Sequence, residues 1–333
     1  MQIPNKRYTC RWCGFTSTNI DDFELDFKNN QGFWCGDCDG FTFFDEAKNK
    51  EHRMLLLLEQ KASSPIECSV PKTSLKKHLS PLRYPGGKSR LIDFLSTKFS
   101  ASKMDTFVEV FAGGASVGLS LLDAGLIKKL VLNDCDIGVN SFWSQVVYNP
   151  APLIDRIRNE TPTKKSVKTA REKLNAPPYS VPTLDRAYSF LLLNRVCYSG
   201  ITKAGIMGGE GGSDEAMLCR WNPDTLVKRI EKIYSMSRAI EVKADDGCAL
   251  VEQYAYWDDK ATLFIDPPYV QKGPALYREF FTEEKHKDLA FLLTSLYTEF
   301  PCSDIILTYD DCELIREIYP FADIQVIGRQ YSI

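Results

Sequence analysis

From about residue 76 the chain repeats one pattern: a short apolar, β-branched run, a glycine or acidic turn, then a helix. "TFVEVFAGG" (106–114) reads as a strand entering a glycine turn. "ASVGLSLLDAG" (115–125) reads as a helix ending at Gly125, and "KKLVLNDCD" (128–136) as the next strand. "AIEVKADD", "ATLFIDPPY" and "DIILTYDD" have the same strand character, and end strands are expected around "DIQVIGRQYSI". Strands that alternate with helices imply parallel pairing, because each crossover returns the chain to the same end of the sheet. The predicted fold class is α/β, a Rossmann-like, doubly wound parallel sheet.

At 333 residues the chain exceeds a typical single domain, so one large domain and a smaller one are expected. Residues 1–45, rich in cysteine and aromatic residues, form the small one. Residues 46–75 read as a helix (Glu46–Lys61) and a Pro/Ser-rich linker, "SSPIECSVPKTS". Residues 76–333 form the large domain. Within it, 151–240 departs from the alternating pattern: it is basic, helical in places ("RAYSFLLLNRV", "PDTLVKRIEKIYSMS") and interrupted by "GIMGGEGGSDE" (205–215). It reads as an insertion that carries specificity. Its 15 Lys+Arg against 9 Asp+Glu contrast with 8 against 18 in residues 241–333, so the overall charge of −3 conceals a basic middle suited to an anion. No apolar run approaches the roughly 18–20 residues of a membrane span, and "MQIPNKRYTC" has no signal-peptide stretch. A cytoplasmic protein with no membrane contact is expected.

Eleven cysteines, an odd number, argue against a disulfide framework. Four of them form two C-x2-C pairs, Cys10 with Cys13 and Cys35 with Cys38, separated by 21 residues. Four thiolates on two tight turns suit a tetrahedral structural zinc ion, so a zinc ribbon or finger is expected here, with a protein contact or an accessory DNA contact as its role. The remaining cysteines show no metal spacing.

Two glycine motifs imitate nucleotide sites. "PGGKS" (85–89) resembles the end of a phosphate-binding loop, but Leu82 stands where its first glycine belongs. "EVFAGGASVG" (109–118) places Gly113, Gly114 and Gly118 at a strand-to-helix turn without dinucleotide spacing, and Asp134 ends the next strand, where a carboxylate can accept from a ribose diol. Together they suit a nucleoside that carries no phosphate. "DPPY" is more specific. Asp266 leaves a buried strand at its carboxyl end, the ligand side of such sheets. Asp266 and the Pro267 carbonyl are both acceptors and can hold the two hydrogens of a planar amino group, and Tyr269 offers a face for stacking a base.

From "LRYPGGKSRL" through "FVEVFAGGASVGLSLL", "VLNDCD", "NRVCYSG", "ADDG" and "LFIDPPY" to "FFTEEKHKDLAFLL", the chain resembles, over residues 80–333, the Dam-type (class alpha) DNA adenine-N6 methyltransferases. The motifs stand in that family's order. The resemblance implies an S-adenosyl-L-methionine-dependent methyltransferase fold, with 151–240 as an inserted helical target-recognition segment, and double-stranded DNA as partner. It implies a bacterial or phage origin. It implies that Tyr84 and Lys88 meet the methionine end of the cofactor, Asp134 its ribose and Asp246 its adenine, with Glu109, Phe111 and Gly113 shaping the pocket and Asp266 lying between cofactor and target amine. Arg83, Arg195 and Lys203 become candidates for DNA contact and Tyr198 for stacking, with Arg220 and Asn222 as base-reading candidates. The family's first motif has Trp and Ala where this chain has Tyr84 and Pro85. Beyond Gly205 the chain departs from the family pattern, so no recognition sequence carries over. The same chemistry on cytosine, RNA or a protein amide, and a non-catalytic DNA-binding regulator of the same fold, remain as alternatives.

Overall fold

The computed structural model describes residues 75–327, apart from 77, 85, 99–104, 258–260, 272, 277 and 300–303, and the main chain of five short strands nearer the amino terminus. Those strands are β1 (Tyr8–Thr9), β2 (Thr16–Ser17), β3 (Phe23–Leu25), β4 (Gly32–Cys35) and β5 (Phe41–Phe43). β1 pairs antiparallel with β2, and β4 lies between β3 and β5, antiparallel to both. The helix expected over 46–61 lies outside the described residues.

The large unit is built on β6 (Thr106–Glu109), β7 (Lys129–Asn133), β8 (Ile240–Lys243), β9 (Ala261–Ile265) and β10 (Asp304–Leu307). Their order is β10-β9-β6-β7-β8 and every pairing is parallel, as the alternation required. β6 and β9 are buried along their whole length, because helices cover both faces. The chain builds outward from β6 through β7 to β8, then returns to β9 on the other side of β6. The order therefore reverses between β6 and β9, and a crevice opens beyond their carboxyl ends. No strand forms over 324–327, and 328–333 lie outside the described residues. Ile324, Val326 and Ile327 are exposed; with no described strand beside them, their apolar alternation has no ladder to join.

The helices that flank the sheet are α1 (Ile92–Ser96) and α2 (Ser116–Asp123), the latter linking β6 to β7. Between β7 and β8 run α3 (Ile137–Tyr148), α4 (Pro150–Asn159), α5 (Lys164–Asn175), α6 (Thr183–Val196), α7 (Asp214–Leu218) and α8 (Pro223–Tyr234). α9 (Gly247–Trp257) leads to β9; α10 (Gly273–Leu276) and α11 (Glu283–Glu299) lead to β10; α12 (Glu313–Ile318) follows it. Among the described residues no helix is long and apolar enough to cross a membrane.

α6 is the hub of the helical segment. It is buried continuously from Arg186 to Asn194, which a helix tolerates only when neighbours surround it. α3 and α5 pack against it. Arg186, 1% exposed, donates to the carbonyls of Leu174, Ala176 and Pro177, closing the orphan end of α5. The glycine-rich stretch is a loop, as expected, held by Lys164 Nζ donating to the carbonyls of Glu210 (2.6 Å) and Gly212 (2.8 Å).

Candidate active site

Three strand ends are tied together by one side chain. Asn133, buried at the end of β7, donates through Nδ2 to the carbonyls of Val110 and Asp245, both at 3.0 Å, and accepts from Asp245 N–H at 2.8 Å. This ties the exits of β6 and β8 to that of β7. After β6 the chain turns at Gly113 (φ +44°), whose carbonyl accepts from Trp143 Nε1 at 2.9 Å. A Cβ at Gly113 would lie 2.6 Å from the Tyr84 ring. The glycine is needed because an aromatic ring packs directly onto its main chain.

The crevice is an open pocket of about 950 Å³, a figure that includes the solvent at its mouth. Tyr84, Lys88, Glu109, Phe111, Gly113, Asp134, Asp246 and Asp266 all line it. Eight positions spread over 183 residues of sequence thus converge on one hollow. Tyr269 is buried beside it, with Lys88 Nζ 5.0 Å from its ring centre. Pro267 is buried and Pro268 reaches the pocket wall.

Lys88, 4% exposed, donates to Gly86 O at 3.0 Å and to both carboxylate oxygens of Asp266 at 2.5 Å. Thr308 Oγ1 donates to Asp266 Oδ1 at 2.7 Å. Asp134 accepts from Gly113 N–H (2.9 Å) and Asp136 N–H (3.0 Å). Asp246 accepts from Cys248 N–H (2.9 Å) and Ala249 N–H (3.2 Å) at the start of α9. Phe111 and Phe281 meet edge to face, with centroids 5.5 Å apart, and both line the pocket.

Glu109 accepts from Gly118 N–H at 2.5 Å. Burial, with a smaller push from Asp266, raises its carboxyl to about 8. Burial, then the neighbouring Asp136, raises Asp134 to about 7. The folded state therefore keeps protons that the unfolded chain gives up near pH 4. This contribution to stability is whole below about pH 4 and is lost as pH rises to about 7–8. The thermal midpoint is expected to fall between pH 5 and 8 for this reason. Glu109→Gln keeps an acceptor for Gly118 but cannot ionise, so it should flatten part of that slope; melting curves at three pH values check it, and an unchanged slope contradicts it.

Carboxyl groups outnumber cations around the pocket: Glu109, Asp134, Asp136, Asp246, Asp266 and Glu279 against Lys88, Arg278 and Lys285. With Glu109 and Asp134 holding their protons up to about pH 8 and 7, that lining is polar more than anionic; it suits a ligand rich in hydroxyl and amino groups and is poorly suited to phosphates. S-adenosylmethionine, a sulfonium nucleoside without phosphate, fits it.

The DNA-contact candidates fall on the helical segment and the loop beneath it. Tyr198 is 51% exposed and Lys203 is exposed. Arg195 is a brace: its guanidinium donates to the Arg220 carbonyl through Nε (2.8 Å) and Nη2 (2.5 Å) and to Pro81 O (3.4 Å). Burial, with Arg229 nearby, lowers its pKa to about 10. Asn222 caps α8 by accepting from Thr225 N–H at 2.9 Å. Arg83 is held through its main chain by Asn194: Arg83 N–H donates to Oδ1 (2.8 Å), and Nδ2 donates to Arg83 O (2.9 Å).

Cys10, Cys13 and Cys38 lie outside the described residues, and of Cys35 only the main chain at the end of β4 is described. Among the described residues no group of His, Cys, Asp or Glu is arranged to hold a metal ion. Sequence reasoning missed Asn133, Phe281, Arg278 and Thr308. Asn133 left a signal as an amide closing a strand directly before Asp134, and Phe281 as part of the FFTEEK motif.

A sequence profile described as D12 class N6 adenine-specific DNA methyltransferase matches residues 84–333. The DNA N-6-adenine-methyltransferase of Escherichia phage P1 is 24% identical over 272 residues, 78% of this chain and 33% of that protein. The DNA adenine methylase of Serratia marcescens is 24% identical over 273 residues, 78% of this chain and 93% of that protein. Modification methylase StsI of Streptococcus sanguinis is 31% identical over 124 residues, 34% of this chain and 18% of that protein. The chain thus spans about a third of the phage relative and under a fifth of StsI. With three quarters of its length matched, in a parallel α/β fold that gathers the motif residues at one pocket, the chain belongs to the D12 class N6 adenine-specific DNA methyltransferase family.

Proposed function

We propose that this chain transfers a methyl group from S-adenosylmethionine to the 6-amino group of an adenine flipped out of duplex DNA. One observation carries the reading: Asp266 leaves β9 where the strand order reverses, and lines the same pocket as the Gly113 turn and Asp134. In this reading Tyr84, Lys88, Glu109, Phe111, Gly113, Asp134 and Asp246 would hold the cofactor, which supplies a methyl group on a cationic sulfur. In this reading Asp134 takes the ribose hydroxyls and Asp246, beside Gly247 and Phe111, takes the adenine edge.

Asp266 and the Pro267 carbonyl accept the two amino hydrogens, and Tyr269 stacks the base. An exocyclic amine is a weak nucleophile because its lone pair is delocalised into the ring. Acceptors on its hydrogens favour the pyramidal nitrogen of the transition state over the flat ground state. The net charge of +6 on residues 151–240 supports a nucleic-acid face. Tyr198, Lys203, Arg220 and Arg83 are the residues to which we assign DNA contact, with Arg195 and Asn222 shaping that surface. Flipping costs a few kcal/mol, which these contacts must offset. Sequencing modified bases in DNA from cells that express the protein tests this. Modified adenine at a recurring short sequence, absent with Asp266→Ala, is expected; unmodified adenine throughout would refute it.

The same reading assigns a structural zinc ion to Cys10, Cys13, Cys35 and Cys38. Support comes from the strands around them: residues 10–15 link the antiparallel pair β1 and β2, and residues 36–40 link β4 and β5. Cys10 and Cys13 thus fall in one hairpin connection, Cys35 closes β4 and Cys38 falls in the other connection, so two turns can supply four thiolates. So small a segment folds poorly without its metal. Elemental analysis should give one zinc per chain, and a chelator should make residues 1–62 protease-sensitive while the large unit persists. A metal-free segment that stays protected contradicts the assignment. A partner protein is the role proposed for this segment, since its own charge is acidic.

A further inference from the structure

The three residues that follow β10 grip the Asp266–Tyr269 turn at both ends. Thr308 N–H extends the β9–β10 ladder by donating to Ile265 O at 2.9 Å, and its hydroxyl donates to Asp266 Oδ1 at 2.7 Å. Two residues on, Asp310 accepts from Val270 N–H (3.1 Å) and Gln271 N–H (3.2 Å), just past Tyr269. Gly273 N–H closes the turn onto Tyr269 O at 2.8 Å. Tyr309, between the two, is held by a hydrogen bond of 2.8 Å with Nδ1 of the buried His286 on α11.

The chemistry of Asp266 needs a fixed carboxylate plane. Lys88 touches both oxygens through a single ammonium nitrogen, which holds the group at a distance but leaves it free to rock about that nitrogen. A second donor on one oxygen, from a neighbouring strand, removes that freedom. Threonine suits the task because its β-branched side chain has few rotamers. A carboxylate accepts about four hydrogen bonds, so Lys88 and Thr308 together leave acceptor capacity for a substrate amine.

We infer that Thr308 is a positioning residue for methyl transfer: it orients the Asp266 carboxylate, while Asp310 fixes the main chain that carries Tyr269. The inference rests on the reading of Asp266 as the acceptor of the target amine. Thr308→Val has the same shape without the hydroxyl, and Thr308→Ser keeps it. Single-turnover methylation by the Val variant should slow about 10- to 100-fold, with cofactor and DNA dissociation constants within about threefold of wild type. The Ser variant should recover to within about threefold, a rescue that a role in packing alone does not give. A Val variant within about twofold of wild type, or a Ser variant as slow as Val, overturns the positioning role. If wild type methylates adenine and Thr308→Val is indifferent, only this inference falls; if wild type methylates no adenine, the functional reading falls and takes it along. Equal melting midpoints for the three proteins show that the rates compare folded enzymes.

Discussion

Asp266→Asn is expected to lower the methyl-transfer rate by about 10³-fold or more while DNA affinity stays within about threefold. The substitution keeps the size of the side chain and exchanges one acceptor oxygen for an NH2 donor. Thr308 donates to Oδ1 and Lys88 to both oxygens, so the amide oxygen is drawn to the Thr308 side and an NH2 donor replaces the second acceptor. A donor then faces a donor, and the adenine amine loses the acceptor that favours its rehybridisation. Asp266→Ala should be equally inactive but harder to interpret. It leaves Lys88, 4% exposed, without its counter-charge, and an unpaired buried cation costs about 3–5 kcal/mol of stability. Asp266→Asn removes the same counter-charge but keeps an amide oxygen for Lys88 and Thr308, so a melting midpoint taken beside single-turnover kinetics and DNA binding on one preparation separates chemistry from folding. An Asn variant within about tenfold of wild type would mean that catalysis does not depend on this acceptor.

The second large effect lies away from the chemistry. Gly200→Ala should destabilise the large unit by about 3 kcal/mol or more and weaken cofactor binding with it. Gly200 sits at φ +79°, and a Cβ there would lie 1.9 Å from the Arg83 carbonyl oxygen. The obstacle is main chain, so it cannot swing aside. Asn194 bonds both partners, donating to Arg83 O at 2.9 Å and to Gly200 O at 3.1 Å. Forcing the two segments of this contact apart therefore breaks buried hydrogen bonds as well as creating strain. Arg83 immediately precedes Tyr84, whose ring covers Gly113 in the pocket, so the displacement reaches the residues proposed to hold the cofactor. Gly211→Ala, where the added methyl meets open space, is the control and should cost no more than about 0.5 kcal/mol. Thermal melting with and without S-adenosylmethionine distinguishes the two. Equal midpoints for both variants would contradict the close contact.

What could be read in advance, and what could not, divides by sequence range. The β6 turn, the end of β7 and the DPPY exit of β9 are each local signals: an apolar run of strand length, broken by glycine, asparagine or aspartate within a few residues. Parallel pairing followed from the alternation, and the reversal between β6 and β9 then brought Asp266 to the glycine turn. Thr308 had no such signature. Its partner is 42 residues away, and a threonine at a strand end looks like any other β-former. Arg195 shows the opposite case. In a basic segment it reads as a cation for DNA, yet its guanidinium is spent on carbonyls of residues 81 and 220, which no periodicity reveals. The end strands expected after residue 323 do not form over 324–327, because apolar alternation marks a strand only where a neighbour supplies the ladder.

The most direct test is to incubate the purified protein with isotope-labelled S-adenosylmethionine and unmodified duplex DNA, digest the product and identify the labelled nucleoside by mass. If Asp266 accepts the amine's hydrogens as proposed, the product is N6-methyldeoxyadenosine, lost in Asp266→Asn and kept in Gly211→Ala. Label on cytosine, or no label in DNA while the protein binds the cofactor and remains folded, would contradict it.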